Sequence, residues 1–151
     1  MRILMVCLGN ICRSPLAQGV LEREIASRHL PWSVDAAGTS RLHEGEAPDL
    51  RAIRTASRYG MDISRQRSRM ICSTDFERFD LLLAMDRQNL DNLKSVCPHP
   101  QYFPKIQMLM SYSADWPGAD VPDPYYDNRF EHALHCIESG CLGLVTRFGN
   151  G

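Results

Sequence analysis

The 151-residue chain reads as an α/β protein: a three-layer sandwich, with a four-stranded parallel sheet of order 2-1-3-4 and helices on both faces. Two observations predict this. Apolar runs at residues 2–7, 32–37, 80–85 and 106–110 have the length and continuity of buried strands. Segments of helical periodicity separate them, and parallel strands joined by right-handed helical crossovers cover both faces of a sheet. In the order 2-1-3-4 the switch point lies beside the carboxyl end of the first strand, where open α/β sheets bind ligands.

The first strand, residues 2–7, lacks alternation, as a central strand covered on both sides should. Ser14 as N-cap and Pro15 at the first helical position open a helix to about His29, with an apolar stripe through Leu16, Val20, Leu21 and Ile25. Pro31 breaks the chain before the second strand. Residues 38–47 form a loop. Pro48-Asp49 starts a helix that stops at Gly60. Thr74 and Glu77 have the spacing of a capping box ahead of a short helical turn. Asp80-Leu81-Leu82-Leu83-Ala84-Met85 is the clearest internal strand, residues 87–95 are helical, and residues 106–110 form the fourth strand. Residues 114–128, rich in Pro, Asp and Gly, read as a loop, and residues 129–148 as the closing helix. No linker or repeat divides the chain, so one domain over 1–151 is expected.

Composition narrows the function. Apolar residues make up 44% and charged residues 23%, with a net charge of −1, so no overall basic field draws nucleic acid or an anionic membrane. The opening residues read as a buried strand rather than a signal peptide, and no apolar run approaches the roughly 18 residues of a membrane helix. Six cysteines in a chain of this size, with no export signal, point to a reducing cytoplasm rather than a disulfide framework.

Chemistry concentrates after the first strand, in Cys7-Leu8-Gly9-Asn10-Ile11-Cys12-Arg13-Ser14-Pro15. A thiol and a fixed cation, with five residues between them, stand at opposite ends of one tight loop at a helix start. Backbone N–H groups from Leu8 through Ile11 and Cys12 to Arg13 can converge in a nest, and the helix adds its positive end. That field holds a phosphate-sized anion and favours the thiolate of Cys7. Arg13 presents a planar fork to two phosphoryl oxygens. Gly9 and Asn10 are residue types that accept the left-handed backbone such a loop requires. The loop carrying Asp123 follows the fourth strand and opens on the same edge of the sheet.

Val6 through Pro15 closely resembles the signature of the low-molecular-weight protein tyrosine phosphatases, and Asp123-Pro124-Tyr125-Tyr126-Asp127 resembles the same family's distal acid motif. Ala37-Gly38-Thr39, His43-x-Gly45, Pro48 and the run from Asp75-Phe76 to Met85-Asp86 also fit, so the similarity spans almost the whole chain. The resemblance implies that Cys7 forms a phosphocysteine, that Asp123 acts as general acid and then base, and that Ser14 supports the sulfur as a leaving group. It implies no cofactor and no metal. Tyr125 and Tyr126 would form an aromatic wall, and both are offered as phosphorylation sites. Leu42 falls where the family carries a variable residue on the opposite wall. Cys12 would protect Cys7 by a reversible disulfide, or simply fill the loop. Ala36 and Gln66 replace the Ser and His that support the loop asparagine in eukaryotic members, which leaves Ser14 as a partner for Asn10. Phosphotyrosine proteins are the implied partners, bacterial relatives frequently oppose tyrosine kinases, and the expected assembly is a monomer or a weak dimer.

Two other classes compete. An arsenate reductase shares the scaffold and loop, but relays oxidation through two further cysteines after the third strand. Here Ala84-Met85-Asp86-Arg87-Gln88-Asn89 contains none. A noncatalytic phosphate-binding module would lack the nucleophile or the acid. His132 and His135 have no accompanying ligand pattern and read as solvated helix surface, the alternating Arg65, Arg67 and Arg69 read as a solvated face, and Cys136 and Cys141 read as core.

Overall fold

Ile3, Leu4, Met5 and Val6 are wholly shielded from solvent, which only a central strand covered on both faces provides. The computed structural model describes residues 1–149; the last two positions of the expected 1–151 domain lie outside the described residues. Strands β1 (Arg2–Cys7), β2 (Ser33–Gly38), β3 (Leu81–Ala84) and β4 (Ile106–Met108) pair in parallel in the order β2-β1-β3-β4. In register, Ile3 lies opposite Val34 and Leu81, and Val6 opposite Ala37 and Ala84.

Helices α1 (Arg13–Arg28), α2 (Leu50–Arg58), α3 (Asp75–Arg78), α4 (Arg87–Val96), α5 (Pro124–Asp127) and α6 (Phe130–Phe148) complete the fold. Because successive strand residues point to opposite faces, β1 feeds two cores. Ile3, Met5 and Cys7 join Leu16, Val20 and Leu21 of α1 and Leu134, Ile137 and Leu144 of α6. Leu4 and Val6 join Phe76 of α3 and Leu93 of α4 on the other side. Each such side chain contributes about 1.5–3 kcal/mol by leaving water. Among the described residues no helix is long and apolar enough to cross a membrane.

Four elements depart from the sequence reading. α1 begins at Arg13, with Cys12 at the N-cap and no side-chain capping bond, so Ser14 is not its cap. Pro15 then stands third in the helix, still among the positions whose N–H would have no intrahelical acceptor. Thr74 has helical angles (φ −68°, ψ −20°) and makes no cap bond, since a capping side chain needs an extended backbone. β4 stops at Met108 because Leu109–Tyr112 curls into a 3-10 turn against α6. That packing is tight: a Cβ on Gly143 would lie 1.6 Å from the Tyr112 carbonyl oxygen. Finally, the loop at 114–128 contains the turn of α5, capped by Asp123 and closed by Asn128 at φ 60°.

Arg69 also differs from the solvated face expected of it: it pairs with Asp35 at 3.1 Å and with buried Asp75 at 3.0 Å, tying β2 to α3.

Hydrogen bonds gather the functional edge. Met85 N–H donates to the Val6 carbonyl at 3.1 Å, and Val121 N–H to the Met85 carbonyl at 2.8 Å. The ends of β1 and β3 and the loop before α5 therefore meet at one place.

Candidate active site

Residues 8–12 connect β1 to α1 as a loop whose carbonyls are drawn outwards. Leu8 O accepts from Ser40 N–H at 3.0 Å, Ile11 O from Asp49 N–H at 2.8 Å, and Gly9 O from the Ser68 hydroxyl at 2.9 Å. A trans peptide unit points its N–H opposite its carbonyl. Anchoring these three carbonyls outside therefore turns the amides of Gly9, Asn10 and Cys12 inwards. One of them declares itself: Asn10 N–H donates to Cys7 Sγ at 3.3 Å.

Asn10 takes the left-handed conformation (φ 55°) that this turn needs. Gly9 does not, so its role is space: a Cβ there would meet His43 Cδ2 at 3.0 Å. The Ser14 hydroxyl points into the loop, 3.0 Å from Cys7 Sγ and 2.7 Å from Asn10 Oδ1. Asn10 Nδ2 reaches the Ala36 carbonyl at 3.5 Å, while Gln66 donates to the Pro15 carbonyl at 3.1 Å and leaves Asn10 alone. Support for Asn10 thus comes from Ser14 and the β2 backbone.

Arg13 is buried, and three of its five N–H donors have protein partners. Its Nη1 donates to Asp86 Oδ2 at 2.6 Å and to the Val121 carbonyl at 2.9 Å, and its Nη2 to Asp123 Oδ2 at 3.4 Å. Burial opposes the guanidinium charge, but the Cys7 sulfur and Asp86 outweigh it and raise Arg13 above its ordinary value. Asp86 serves twice, since its Oδ1 caps α4 by accepting from Asn89 N–H at 2.7 Å. Asp123 Oδ1 accepts from Tyr125 N–H at 3.1 Å, which starts α5. The thiol and the distal carboxyl thus line one pocket, where Arg13 holds the carboxyl.

Cys7, Leu8, Gly9, Ile11, Cys12, Arg13 and Asp123 line that pocket together with Leu42, Tyr125 and Tyr126. Tyr125 and Tyr126 pack edge to face at 5.3 Å; Tyr126 (78% exposed) and Leu42 (79% exposed) stand at the mouth rather than deep in the wall. Cys12 is buried, and burial, reinforced by Asp49, Cys7 and Asp123, pushes its thiol well up, so it stays neutral.

At the site, His43 and Asp86 fit the family pattern in sequence but carried no assigned role, and Ser40 and Ser68 belong to no motif. His43 lines the pocket, sits 6.5 Å from the Tyr125 ring and pairs through Nδ1 with Glu46 Oε2 at 3.0 Å. Asp86 had a usable signal, a carboxylate at the end of a strand and just ahead of a helix. Ser40 and Ser68 had none beyond loop position. His132 packs on Trp116 away from this pocket, and among the described residues no group of three or more His, Cys, Asp or Glu side chains is placed to hold a metal ion.

Known proteins match this arrangement. The family model for low molecular weight phosphotyrosine protein phosphatase matches residues 2–150. A low molecular weight protein-tyrosine-phosphatase of Streptomyces coelicolor is 38% identical over 153 residues, covering 96% of this chain and 92% of its own. The crystal structure of a protein tyrosine phosphatase from Entamoeba histolytica superposes with a TM-score of 0.94 at 36% identity, covering 100% of this chain and 98% of its own. The drosophila arginine phosphatase superposes with a TM-score of 0.90 at 32% identity, covering 98% of each chain.

Proposed function

Because the chain belongs to the low molecular weight phosphotyrosine protein phosphatase family, whose members are cysteine-dependent hydrolases, we propose that it removes phosphate from tyrosine in proteins by a two-step transfer through Cys7. The observation that carries this reading is the shared grip of Arg13 on Asp86 and Asp123 beside Cys7 Sγ.

In the first step the Cys7 thiolate attacks phosphorus opposite the tyrosine oxygen. The S–P bond forms, the P–O bond breaks, and Asp123 gives its proton to the departing phenolate. Arg13 and the inward amides hold the phosphoryl oxygens, whose charge the site meets without reorganising. Ser14 donates its hydroxyl hydrogen to the sulfur. In the second step Asp123, now a carboxylate, takes a proton from water. The water oxygen attacks phosphorus, the S–P bond breaks, and inorganic phosphate and the Cys7 thiolate are released. The charge is neutralised by protein donors, so the reading assigns no metal or cofactor a task. A thiolate nucleophile suits a reducing compartment, which favours the cytoplasm.

The walls speak to the substrate. Leu8, Ile11, Leu42, Tyr125 and Tyr126 offer apolar and aromatic surface to a flat phenyl ring, and the only carboxylate among the lining residues is Asp123. A phosphoarginine, as taken by the drosophila neighbour named above, would bring a cation into this setting. Arsenate reduction fits less well: Cys97 caps the far end of α4, about 15 Å along the helix from the Asp86 end.

The test is hydrolysis of para-nitrophenyl phosphate, and of phosphotyrosine, phosphoserine and phosphoarginine peptides, without added metal. Cys7→Ser should lose essentially all turnover, and Asp123→Ala should lose about 10²–10⁴-fold. Phosphotyrosine should be preferred. Normal turnover by Cys7→Ser would refute the reading.

A further inference from the structure

A second groove adjoins the first across the wall formed by Tyr125. Helix α2 presents Arg51, Arg54 and Arg58 along one side, and Arg129 and His132 face them from the start of α6. The lining includes one acid, Glu131, in a chain whose net charge is only −1, so basic charge is gathered here.

The cations are not equally free. Arg51 is held by Asp49 through contacts of 2.9 and 3.0 Å, and its guanidinium lies over the rings of Tyr125 at 5.4 Å and Phe130 at 4.8 Å. Arg58 pairs with Glu131 at 3.3 Å, both largely in solvent. Arg54 and Arg129 are exposed and, among the described residues, make no ion pair or side-chain hydrogen bond. Two uncommitted guanidinium groups thus stand in a cleft whose near end, Arg51, covers the outer face of a catalytic-pocket wall.

We propose that this groove binds acidic side chains flanking the phosphotyrosine of the substrate, with Arg54 and Arg129 as the contacts, so that it sets which phosphoproteins are preferred. The proposal rests on the phosphatase reading above. Geometry makes the two sites one surface. A peptide whose phosphotyrosine ring enters the pocket beside Tyr125 must run on across its rim, where Arg51 of the groove lies over the Tyr125 ring at 5.4 Å. Exposed ion pairs contribute modestly and are screened by salt, so the effect falls on KM and on ionic-strength dependence rather than on the chemical step.

The experiment compares phosphotyrosine peptides carrying Asp or Glu within four residues of the phosphotyrosine with otherwise identical peptides carrying Ser, at low and high salt. Para-nitrophenyl phosphate serves as the substrate without a flank. Wild type should favour the acidic peptides about three- to tenfold in kcat/KM at low salt, through KM, and high salt should erase the difference. Arg54→Glu/Arg129→Glu should lose or invert the preference while para-nitrophenyl phosphate turnover stays at the wild-type level. Equal kcat/KM for acidic and neutral peptides with wild type would overturn the proposal, whatever the variant does. So would a preference that survives in the variant. Inorganic tripolyphosphate that alters para-nitrophenyl phosphate turnover through these arginines, without any flank preference, would replace the proposal with a small-anion effector site. Absence of turnover on every phosphotyrosine substrate would remove the phosphatase reading itself, and this proposal with it.

Discussion

Ser14 carries one hydroxyl hydrogen and has two acceptors in reach, Asn10 Oδ1 at 2.7 Å and Cys7 Sγ at 3.0 Å. A thiol can donate to Ser14, which then donates to Asn10. A thiolate only accepts, so ionisation turns the Ser14 hydrogen to the sulfur, and the bond to Asn10 Oδ1 is given up. The bond to sulfur strengthens whenever negative charge returns there, which happens as the phosphocysteine breaks down. Ser14→Ala should therefore slow the second step, by about 10–100-fold if the charge-assisted bond is lost, with little change in KM. A pre-steady-state burst of phenol larger than wild type would show it, since intermediate would accumulate. A variant with unchanged kcat would mean that Ser14 only shapes the loop.

At the scale of elements, two contacts decide how firmly the edge is held. Gly143 on α6 lets the 3-10 turn at Leu109–Tyr112 approach closely enough that any Cβ would collide with backbone. Gly143→Ala gains helix propensity but must displace that turn. It should cost about 2–3 kcal/mol and lower Tm by roughly 5–10 °C in a thermal melt; an unchanged or raised Tm would show that the turn yields freely. Asp75 anchors α3 to β2 through Arg69. Burial opposes its charge, yet hydrogen bonds from Arg69 and from Cys72 N–H outweigh burial and hold the carboxyl below its ordinary value. A depressed carboxyl contributes stability that is present above the unfolded value, about 3.9, and lost as pH falls through the folded value. In denaturant titrations, the stability gap between wild type and Asp75→Asn should be constant above about pH 5 and shrink below pH 4. A gap that widened in acid would contradict the pairing.

Across the whole molecule, the sheet order follows from alternation of apolar runs and helices, because parallel strands leave few topologies once crossovers are right-handed. Helix ends were less legible. Ser14 has the composition of a cap, but its hydroxyl is claimed by the loop, and Thr74 has a helical backbone that no residue type announces. The contiguous part of the site could be read from eight adjacent residues, because a nucleophile, an αL asparagine and an arginine must follow one another to make the cup. Asp86, Ser68 and His43 reach it from three other segments, each with an ordinary local reading as cap, turn or surface residue, and only tertiary packing distinguishes them.

The account depends on Cys7 taking the phosphoryl group while Asp123 stands across the same pocket. The most direct measurement is intact-mass and peptide-mass analysis of Asp123→Asn protein, acid-quenched within one turnover of mixing with para-nitrophenyl phosphate. We predict a single added phosphoryl group on the peptide that contains Cys7, absent in Cys7→Ser/Asp123→Asn. A phosphoryl group found on another residue, or product released with no adduct at any time point, would contradict it.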